Sequence, residues 1–343
     1  MNREAQERPL VTPPPSVDVF YAPADSADRW LGDDSLVALL RFGTSTHVSA
    51  TDSRDISIAL PPLGPEDLIE VWRAATPVTR GRNGDLCYAL NGEILFGHLL
   101  IEESATGGLA SAARAAYHEM LRAVEASGYP HLIRVWNYFP AINVEADGLE
   151  RYRAFCIGRH DAFTAVGFES QQLAAASAIG TRASGLLLYF VAAKAPGTPI
   201  ENPRQMSAYH YPAQYGPRSP LFSRALVKQW RVGTQLYISG TASVVGHRTV
   251  HEGDAVAQLQ ETGRNIEALI ARANEMHPLV PKSLRELSLL KLYLRRPDDI
   301  VLDRDVQRLF GAALPRLYLH ADICRSGLLL EIDALHCDVA LAR

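Results

Sequence analysis

The chain has 343 residues, of which 47% are hydrophobic and 21% are charged, and its formal net charge is -4. This composition supports a sizeable buried core and excludes an intrinsically disordered chain, while the length suits two domains or one large one. The acidic balance argues against a protein that binds nucleic acid by neutralising phosphates, although a small anionic substrate needs only a local basic pocket.

The four cysteines, at positions 87, 156, 324 and 337, are widely scattered and form no Cys-x-x-Cys pair. The spacing therefore indicates neither a zinc site nor a disulfide framework, and a reducing compartment suits it. The first residues contain no apolar signal core, and the longest apolar run, residues 186–193, is too short to span a bilayer. We expect a cytoplasmic protein whose partners include neither membrane nor nucleic acid.

The chain begins with a polar and then proline-rich segment, which we expect to be a flexible tail over residues 1–16. Apolar segments at residues 17–21, 35–42 and 56–60 predict strands. A proline followed by two acids at residues 65–68 predicts the start of a short helix.

From Cys87 onward the pattern is clearer. Residues 87–101 alternate in polarity and turn at Asn91-Gly92, which predicts a hairpin. Apolar residues at helical spacing predict a helix over 110–126, and an apolar run predicts a strand over 132–139. The second half repeats this order, with a hairpin window at 236–247, a helix over 255–274 and a strand over 287–294.

The two hairpin windows align without a gap, and this alignment places Tyr88 on Tyr237 and His98 on His247. The shared order of hairpin, helix and strand predicts an internal duplication of one α+β unit. The chain turns polar near Asp147, so we expect a first domain over residues 17–147 and a second over 148–343.

A different segment separates the repeats. Residues 149–168 predict a helix that carries Arg153 and Arg159, and an apolar strand follows at 185–193. Because these arginines are six positions apart, they point to different faces unless the helix bends or ends at Gly158.

The loop at residues 209–220 is dense in tyrosine, proline and glycine. Tyr211, Tyr215 and Arg218 offer two hydroxyls and a guanidinium, a combination suited to gripping a carboxylate. The alternative is a surface loop whose tyrosines pack on the core.

Small residues follow at the end of the next strand. Gly240 permits close approach of a ligand or of backbone, and Thr241 offers a hydroxyl, although a plain turn has the same composition. His247 and His251 lack a third partner, so we predict no metal site.

Near the C-terminus, residues 318–333 predict a strand, a tight turn and a second strand. Because side chains alternate along a strand, Glu331 and Asp333 share one face, whereas Leu330 and Ile332 share the other. Cys324 lies at the turn. The carboxylate of Glu331 is either solvated or placed for chemistry.

Several stretches, in order along the chain, resemble those of the chorismatases, two-domain relatives of the RidA/YjgF fold. They are Val135-Trp-Asn-Tyr-Phe-Pro-Ala-Ile-Asn143, Tyr152-Arg-Ala-Phe-Cys-Ile-Gly-Arg159, Tyr209-His-Tyr-Pro212, Tyr215-Gly-Pro-Arg-Ser-Pro220, Ser239-Gly-Thr-Ala-Ser-Val-Val-Gly-His247, Asp322-Ile-Cys-Arg325 and Leu330-Glu331-Ile332. The resemblance implies an α+β fold of two RidA/YjgF-like domains, each a mixed β-sheet with helices packed on one face.

The resemblance also implies the reaction, which is loss of the enolpyruvyl group of chorismate as pyruvate, without a cofactor. Glu331 would protonate the methylene of the enol ether. Members with cysteine at the position of Cys324 and glycine at that of Gly240 form 3-hydroxybenzoate. Some also release 4-hydroxybenzoate, which feeds pigment or ubiquinone pathways, and the sequence does not separate the two types.

The resemblance further implies which residues bind the two carboxylates of chorismate. The candidates are Arg153, Arg159, Tyr211, Tyr215, Arg218 and Arg316, the last by analogy with the ligand-binding arginine of the RidA/YjgF proteins. The alternatives are a chorismate hydrolase that yields a dihydrodiol, a RidA-like imine or enamine deaminase that uses Arg316 and Glu331, and a non-catalytic member of the fold. The expected assembly is a monomer or a homotrimer.

Overall fold

The computed structural model describes residues 15–167, 173–278 and 280–338. Most of the predicted tail therefore lies outside the described residues, as does the last position of the helix predicted over 149–168. The described residues form one five-stranded sheet, two larger sheets of seven and six strands, and two short two-stranded ribbons.

The first segment forms a five-stranded sheet with the order β1-β5-β2-β4-β3. Its elements are β1 (Val17–Pro23), α1 (Ala27–Leu31), β2 (Leu36–Phe42), β3 (His47–Val48), β4 (Asp55–Ile58) and β5 (Leu68–Ala74). The helix predicted from residue 65 is wrong, because this stretch leads into β5. Ile69 and Val71 face one core while Trp72 and Ala74 face another, and this alternation is that of a strand buried on both sides.

The second segment contains the predicted hairpin and the long helix. Its elements are β6 (Thr79–Asn83), β7 (Leu86–Leu90), β8 (Ile94–Ile101), α2 (Glu103–Thr106), α3 (Leu109–Ala126), β9 (His131–Pro140), β10 (Glu145–Ala146), β11 (Leu149–Glu150), α4 (Arg151–Ala165), β12 (Ala175–Thr181) and β13 (Leu186–Ala193). Asn91 forms the β7–β8 turn, because its side-chain oxygen accepts hydrogen bonds from the amides of Glu93 and Ile94.

The third segment repeats this order. Its elements are β14 (Thr198–Ile200), β15 (Ala225–Gln229), β16 (Thr234–Thr241), β17 (Val244–Val245), β18 (Arg248–Thr249), α5 (Ala255–Met276), β19 (Leu289–Leu294), α6 (Asp303–Phe310), β20 (Arg316–His320), β21 (Asp322–Ile323) and β22 (Leu330–Cys337). Helix α5 begins at an N-cap, where the Asp254 carboxylate accepts a 2.9 Å hydrogen bond from the Ala257 amide.

The two large sheets share one strand plan. Their orders are β21-β12-β9-β13-β8-β7-β6 and β14-β15-β16-β22-β19-β20, and the pairs β9–β12 and β19–β20 are both parallel. The predicted repeat is therefore present, but the gapless alignment of the two hairpin windows compared strands that do not occupy equivalent positions in the two sheets. Tyr88 lies on β7 and Tyr237 on β16, whereas the counterpart of β16 in the first sheet is β8.

The predicted α+β architecture of mixed sheets with helices on one face is confirmed. Helices α3 and α4 cover one face of the seven-stranded sheet, and α5 and α6 cover one face of the six-stranded sheet. The opposite faces of these sheets pack together in one core, which also includes the five-stranded sheet. The domain division at residues 147 and 148 stays a proposal, and strands from both sides of it pair in the seven-stranded sheet.

Strand β22 lies in the middle of the six-stranded sheet. It pairs with β16 and β19, so β20 is separated from it by one strand rather than forming a hairpin with it. Leu330 and Ile332 face the helices, and Asp333 faces the seven-stranded sheet. The described helices include none that is long and apolar enough to cross a membrane.

Candidate active site

A cavity of about 250 Å³ lies where the two large sheets meet, beside the end of β16. The end of β11 contributes one lining residue and the start of α4 contributes two, and the rest come from the later part of the chain. The lining residues are Glu150, Tyr152, Arg153, Gln205, Tyr211, Tyr215, Pro220, Phe222, Arg224, Gly240, Ala242, Val244, Cys324, Arg325, Ser326, Leu328 and Glu331.

Glu331 is the buried acid of this cavity, with only 4% of its surface exposed. Burial, which penalises the charged form, raises the pKa of its carboxyl to about 8, and the neighbouring charge of Asp333 adds to this effect. Arg134 and Arg224 oppose the shift without cancelling it. At neutral pH the carboxyl is therefore mostly in its acid form. Within the described residues no hydrogen bond is made to it, so its proton is available to a bound molecule.

Gly240 provides the space that the Glu331 carboxyl occupies. The pairing of β16 with β22 shifts register between Ile238 and Thr241, and this bulge brings the Gly240 backbone against the carboxyl. The Gly240 amide donates a 2.8 Å hydrogen bond to the Ser177 hydroxyl on β12. The bulge is thus held from the opposite sheet.

Arg224 is the most buried of the cations that line the cavity. Its guanidinium donates to the Tyr211 hydroxyl at 2.7 Å and to the Met206 carbonyl at 2.8 Å, and it packs against the ring of Phe222. These contacts fix the Arg224 guanidinium in one orientation, which suits bidentate binding of a carboxylate.

Arg325 is a second cation on the cavity wall. Its guanidinium lies 4.3 Å from the centre of the Tyr215 ring and donates a 2.8 Å hydrogen bond to the His247 carbonyl. The Tyr215 hydroxyl is itself within 3.0 Å of the His247 ring nitrogen. A third cation, Arg153, is half-exposed at the rim. The lining therefore carries more positive than negative charge.

Cys324 lies on the wall beside Glu331. Burial raises the pKa of its thiol to about 12, and the charge of Glu331 acts in the same direction. The thiol stays protonated at physiological pH, so it acts as a small, weakly polar group rather than as a thiolate nucleophile. Leu328 and Ala242 pack beside it and keep this side of the cavity apolar.

The structure brings six of the residues singled out from the sequence into the cavity lining and leaves four outside it. The six are Glu331, Cys324, Arg153, Tyr211, Tyr215 and Gly240. Of the other four, Arg218 is exposed, and the buried Thr241 hydroxyl donates to the Ser239 carbonyl. Arg159 is buried against the rings of Tyr117 and Phe163, away from the cavity lining.

Arg316 is also outside the cavity. It lies on β20, separated from β22 by β19, and its guanidinium pairs with the Asp303 carboxylate at 2.6 Å. The analogy with the RidA/YjgF arginine therefore leads to a different part of the sheet from the Glu331 cavity. The reason is that sequence separation does not specify which strands become neighbours.

Two cations of the cavity were missed by the sequence reasoning. Arg224 lies directly before β15, which begins at Ala225, and was given no role. Arg325 stood beside Cys324 in a quoted motif but was given no role. In the sequence, each of these arginines only stands next to an apolar or aromatic stretch. This pattern does not identify a binding site, because the two stretches come together only in the folded protein.

Residues 70–192 match the family model described as chorismatase FkbO/Hyg5-like, N-terminal. A curated 3-hydroxybenzoate synthase from Streptomyces hygroscopicus is 40% identical over 279 residues, which cover 79% of this chain and 82% of the relative. A curated chorismatase from the same organism is 36% identical over 312 residues, 89% of this chain and 90% of the relative. A crystal structure of a chorismatase superposes with a TM-score of 0.86 at 33% identity, and the match covers 94% of this chain and 98% of that one.

Proposed function

The chain belongs to the chorismatase family, and from this premise we propose that it converts chorismate to 3-hydroxybenzoate and pyruvate, with Glu331 as the proton donor. The observation that carries the proposal is a buried carboxyl, held in its acid form, that opens onto a cavity with three arginines on its wall. An acid at this place supports proton transfer, and the arginines support a dianionic substrate.

Binding of chorismate would use charges that the fold already holds in place. Chorismate carries two carboxylates. Arg224, fixed by Tyr211, suits one of them, and Arg325, stacked on Tyr215, suits the other. Phe222 and Leu328 also line the cavity and offer apolar surface that suits the ring. This arrangement would present the enolpyruvyl group to Glu331.

The chemical step begins with transfer of the Glu331 proton to the methylene carbon of the enol ether. The adjacent carbon becomes oxocarbenium-like, so the ether bond to the ring breaks and the side chain leaves as pyruvate with the ether oxygen. The neighbouring ring hydroxyl attacks the vacated ring carbon to form an epoxide and gives up its proton. Opening of the epoxide at the other carbon, with loss of the ring hydrogen, leaves the oxygen at the 3-position. The two products together have the composition of chorismate, so the overall reaction needs no oxidant, reductant or further substrate. The Glu331 carboxylate that remains can take back a proton as the ring becomes aromatic.

Two residues support the aromatic product over the dihydrodiol. Cys324 lies beside Glu331 on the cavity wall, and Gly240 brings its backbone against the same carboxyl. This pair matches the hydroxybenzoate-forming type, and a relative named 3-hydroxybenzoate synthase shares 40% identity. Release of some 4-hydroxybenzoate would be a second outcome of the same ring chemistry, and product analysis measures it directly.

The alternative of an imine or enamine deaminase requires Arg316 and Glu331 to hold one ligand together. Arg316 lies on β20, which is not a neighbour of β22 in the sheet, and its guanidinium is paired with Asp303. The placement of this arginine therefore favours chorismate chemistry.

The proposal is tested by incubating the purified protein with chorismate in buffer that contains EDTA and no nucleotide. Pyruvate is measured with lactate dehydrogenase, and ring products are separated by chromatography. We expect equal amounts of pyruvate and 3-hydroxybenzoate. Pyruvate release no faster than in the enzyme-free control would overturn the proposal, and a dihydrodiol in place of the aromatic acid would overturn the product assignment alone.

A further inference from the structure

Asp333 lies two residues after Glu331 on β22, on the same face of the strand, and only 6% of its surface is exposed. Its carboxylate accepts three hydrogen bonds from described residues and forms one ion pair. One oxygen accepts a hydrogen bond from the hydroxyl of Ser177 at 2.5 Å and lies 3.0 Å from the guanidinium of Arg134, with which it forms the ion pair. The other accepts from the indole of Trp136 at 2.9 Å and the phenol of Tyr293 at 3.1 Å.

These contacts hold the Asp333 carboxylate in one place and orientation, because both of its oxygens are engaged and one of them is paired with a guanidinium. The donors come from β9, β12 and β19, and therefore from both large sheets. The negative charge is thus fixed in place by the contact between the two repeated units.

The fixed charge acts on its neighbour. Side chains two residues apart on a strand point the same way, and two negative charges at that separation in a buried site repel each other more strongly than they would in water. Among the described residues Arg134 pairs with Asp333 and Arg224 donates to Tyr211, so these two guanidinium groups offset only part of this repulsion. Loss of the Glu331 proton is therefore opposed for as long as Asp333 remains charged.

We propose that Asp333 is a positioning residue for the reaction set out above, because its anchored anion holds Glu331 in the acid form before each turnover. The inference rests on the proposed function for its catalytic meaning, but the electrostatic relation between the two carboxyls exists without substrate.

Ser177 connects the Asp333 carboxylate to the Gly240 bulge that makes room for Glu331. Its hydroxyl donates to Asp333 and accepts from the Gly240 amide at 2.8 Å and from Arg134 at 2.6 Å. The same hydroxyl therefore anchors the anion and holds the bulge that makes room for Glu331. Removal of this hydroxyl disturbs geometry while leaving the charge, which gives a matched comparison.

Other charged or titratable groups also face Glu331 from the surrounding elements. Arg134 on β9 and Arg224 before β15 favour its ionised form, whereas burial and Asp333 oppose ionisation. The remaining neighbours are the protonated thiol of Cys324, in the segment before β22, and Tyr293, the register partner of Glu331 on β19. Within this set Asp333 is the charge that keeps the proton on.

The test compares Asp333→Asn with the unaltered protein by two measurements. The first is the pH dependence of kcat with chorismate, and the second is a ¹³C NMR titration of the Glu331 carboxyl without substrate, assigned by its absence in Glu331→Gln. We expect both midpoints to fall by about one pH unit or more, which is a loss of roughly tenfold or more in kcat above the original midpoint. Unchanged midpoints in a folded variant overturn the inference.

Ser177→Ala is the matched control. We expect it to lower kcat while leaving the two midpoints in place, because the Asp333 charge remains. An equal shift of the midpoints in this variant would attribute the effect to loosened packing and would overturn the assignment to charge.

Asp333→Asn leaves Arg134 buried without its partner, which is costly and can prevent folding. The double variant Asp333→Asn with Arg134→Gln removes both charges and keeps the fold measurable. We expect its midpoint to lie below that of the unaltered protein, since the effect of Asp333 exceeds that of Arg134. A midpoint at or above the original value overturns the inference.

The two proposals fail in different ways. If the unaltered protein releases no pyruvate from chorismate, the proposed function fails, and the NMR titration still tests whether Asp333 holds the proton on Glu331. If chorismate is turned over and the titration midpoint does not move in either Asp333 variant, only the present inference fails.

Discussion

Gly240 and Glu331 face each other on neighbouring strands so closely that a β-carbon at position 240 would stand 2.7 Å from the carboxyl carbon of Glu331 and 3.0 Å from the Ser177 hydroxyl. Contacts of that length do not occur for real β-carbons, so something must move. The acid of the cavity and the glycine opposite it are therefore one structural unit, and a side chain at position 240 competes directly with the carboxyl.

Gly240→Ala should displace the Glu331 carboxyl. We expect kcat to fall by about tenfold or more and the free energy of unfolding to fall by about 1–3 kcal/mol, the usual cost of overpacking. Gly43→Ala is the control, because an added β-carbon there meets no atom within 4 Å. Steady-state kinetics and chemical denaturation measure both effects, and unchanged kinetics in Gly240→Ala would show that the contact is not needed.

The rate should depend on the protonation of Glu331. Because the acid form donates the proton and its pKa is raised to about 8, kcat should be level near pH 7 and fall about tenfold per unit once the pH exceeds about 8. Glu331→Gln should lose turnover while still binding chorismate, and Glu145→Gln, at an exposed position, should behave like the unaltered protein. A rate that rises through pH 8 to 9 would contradict the role of a general acid.

The same carboxyl should make stability depend on pH. Its pKa is raised in the folded state above the ordinary value of 4.5, so the folded state binds more protons, and stability falls as pH rises from about 4.5 to about 8. Glu331→Gln removes this loss. We expect it to be more stable than the unaltered protein at pH 9, by a few kcal/mol, and the difference should shrink toward pH 5. Thermal unfolding at several pH values measures it, and a difference independent of pH would count against a buried acid.

Cys324→Ala should change the product rather than abolish the reaction. Removal of the thiol opens space beside Glu331, where a water molecule can reach the ring and divert it toward the dihydrodiol. Chromatography of the ring products measures the ratio, with Cys87→Ala as control because Cys87 is buried in the first large sheet, away from the cavity. An unchanged aromatic product would show that the thiol only packs.

Arg224 and Arg316 should differ sharply when substituted. Arg224→Lys keeps the charge but loses the fork, so we expect KM for chorismate to rise by about tenfold. Arg316→Gln breaks the pair with Asp303 and the hydrogen bonds to the Ala312 and Leu314 carbonyls, none of which line the cavity, so KM should be unchanged. Steady-state kinetics measure KM for chorismate in both variants. A larger rise of KM in Arg316→Gln than in Arg224→Lys would support Arg316 as the carboxylate ligand.

Much of the local structure could be predicted from the sequence. Hairpin signals and helical spacing located the β7–β8 turn, α3, α5 and β9, and alternation placed Glu331 and Asp333 on one face of a strand. These features depend on neighbouring residues, so a sequence window contains the information. The short helix expected near residue 65 is the exception, because a proline and two acids also precede β5.

Pairing between strands could not be predicted in the same way. The alignment of the two hairpin windows was displaced by one strand and set β16 against β7 rather than β8. The reason is that the sequence of a twelve-residue window does not specify which position in the sheet its strand will occupy. The link from Arg316 to Glu331 was misleading for a related reason, since β19 inserts between their strands.

The sequence by itself determined the α+β class and the repeated order of elements, and family resemblance singled out Glu331, Cys324 and Gly240 as candidate site residues. Only the tertiary structure decided that Glu331 is buried between two sheets, that Arg224 and Arg325 share its cavity, and that Asp333 is anchored beside it from both sheets. The physical reason is that burial and charge proximity arise from contacts between residues far apart in the chain. Glu331 and Ser177 belong to different repeated units, and their environment exists only once those units pack together.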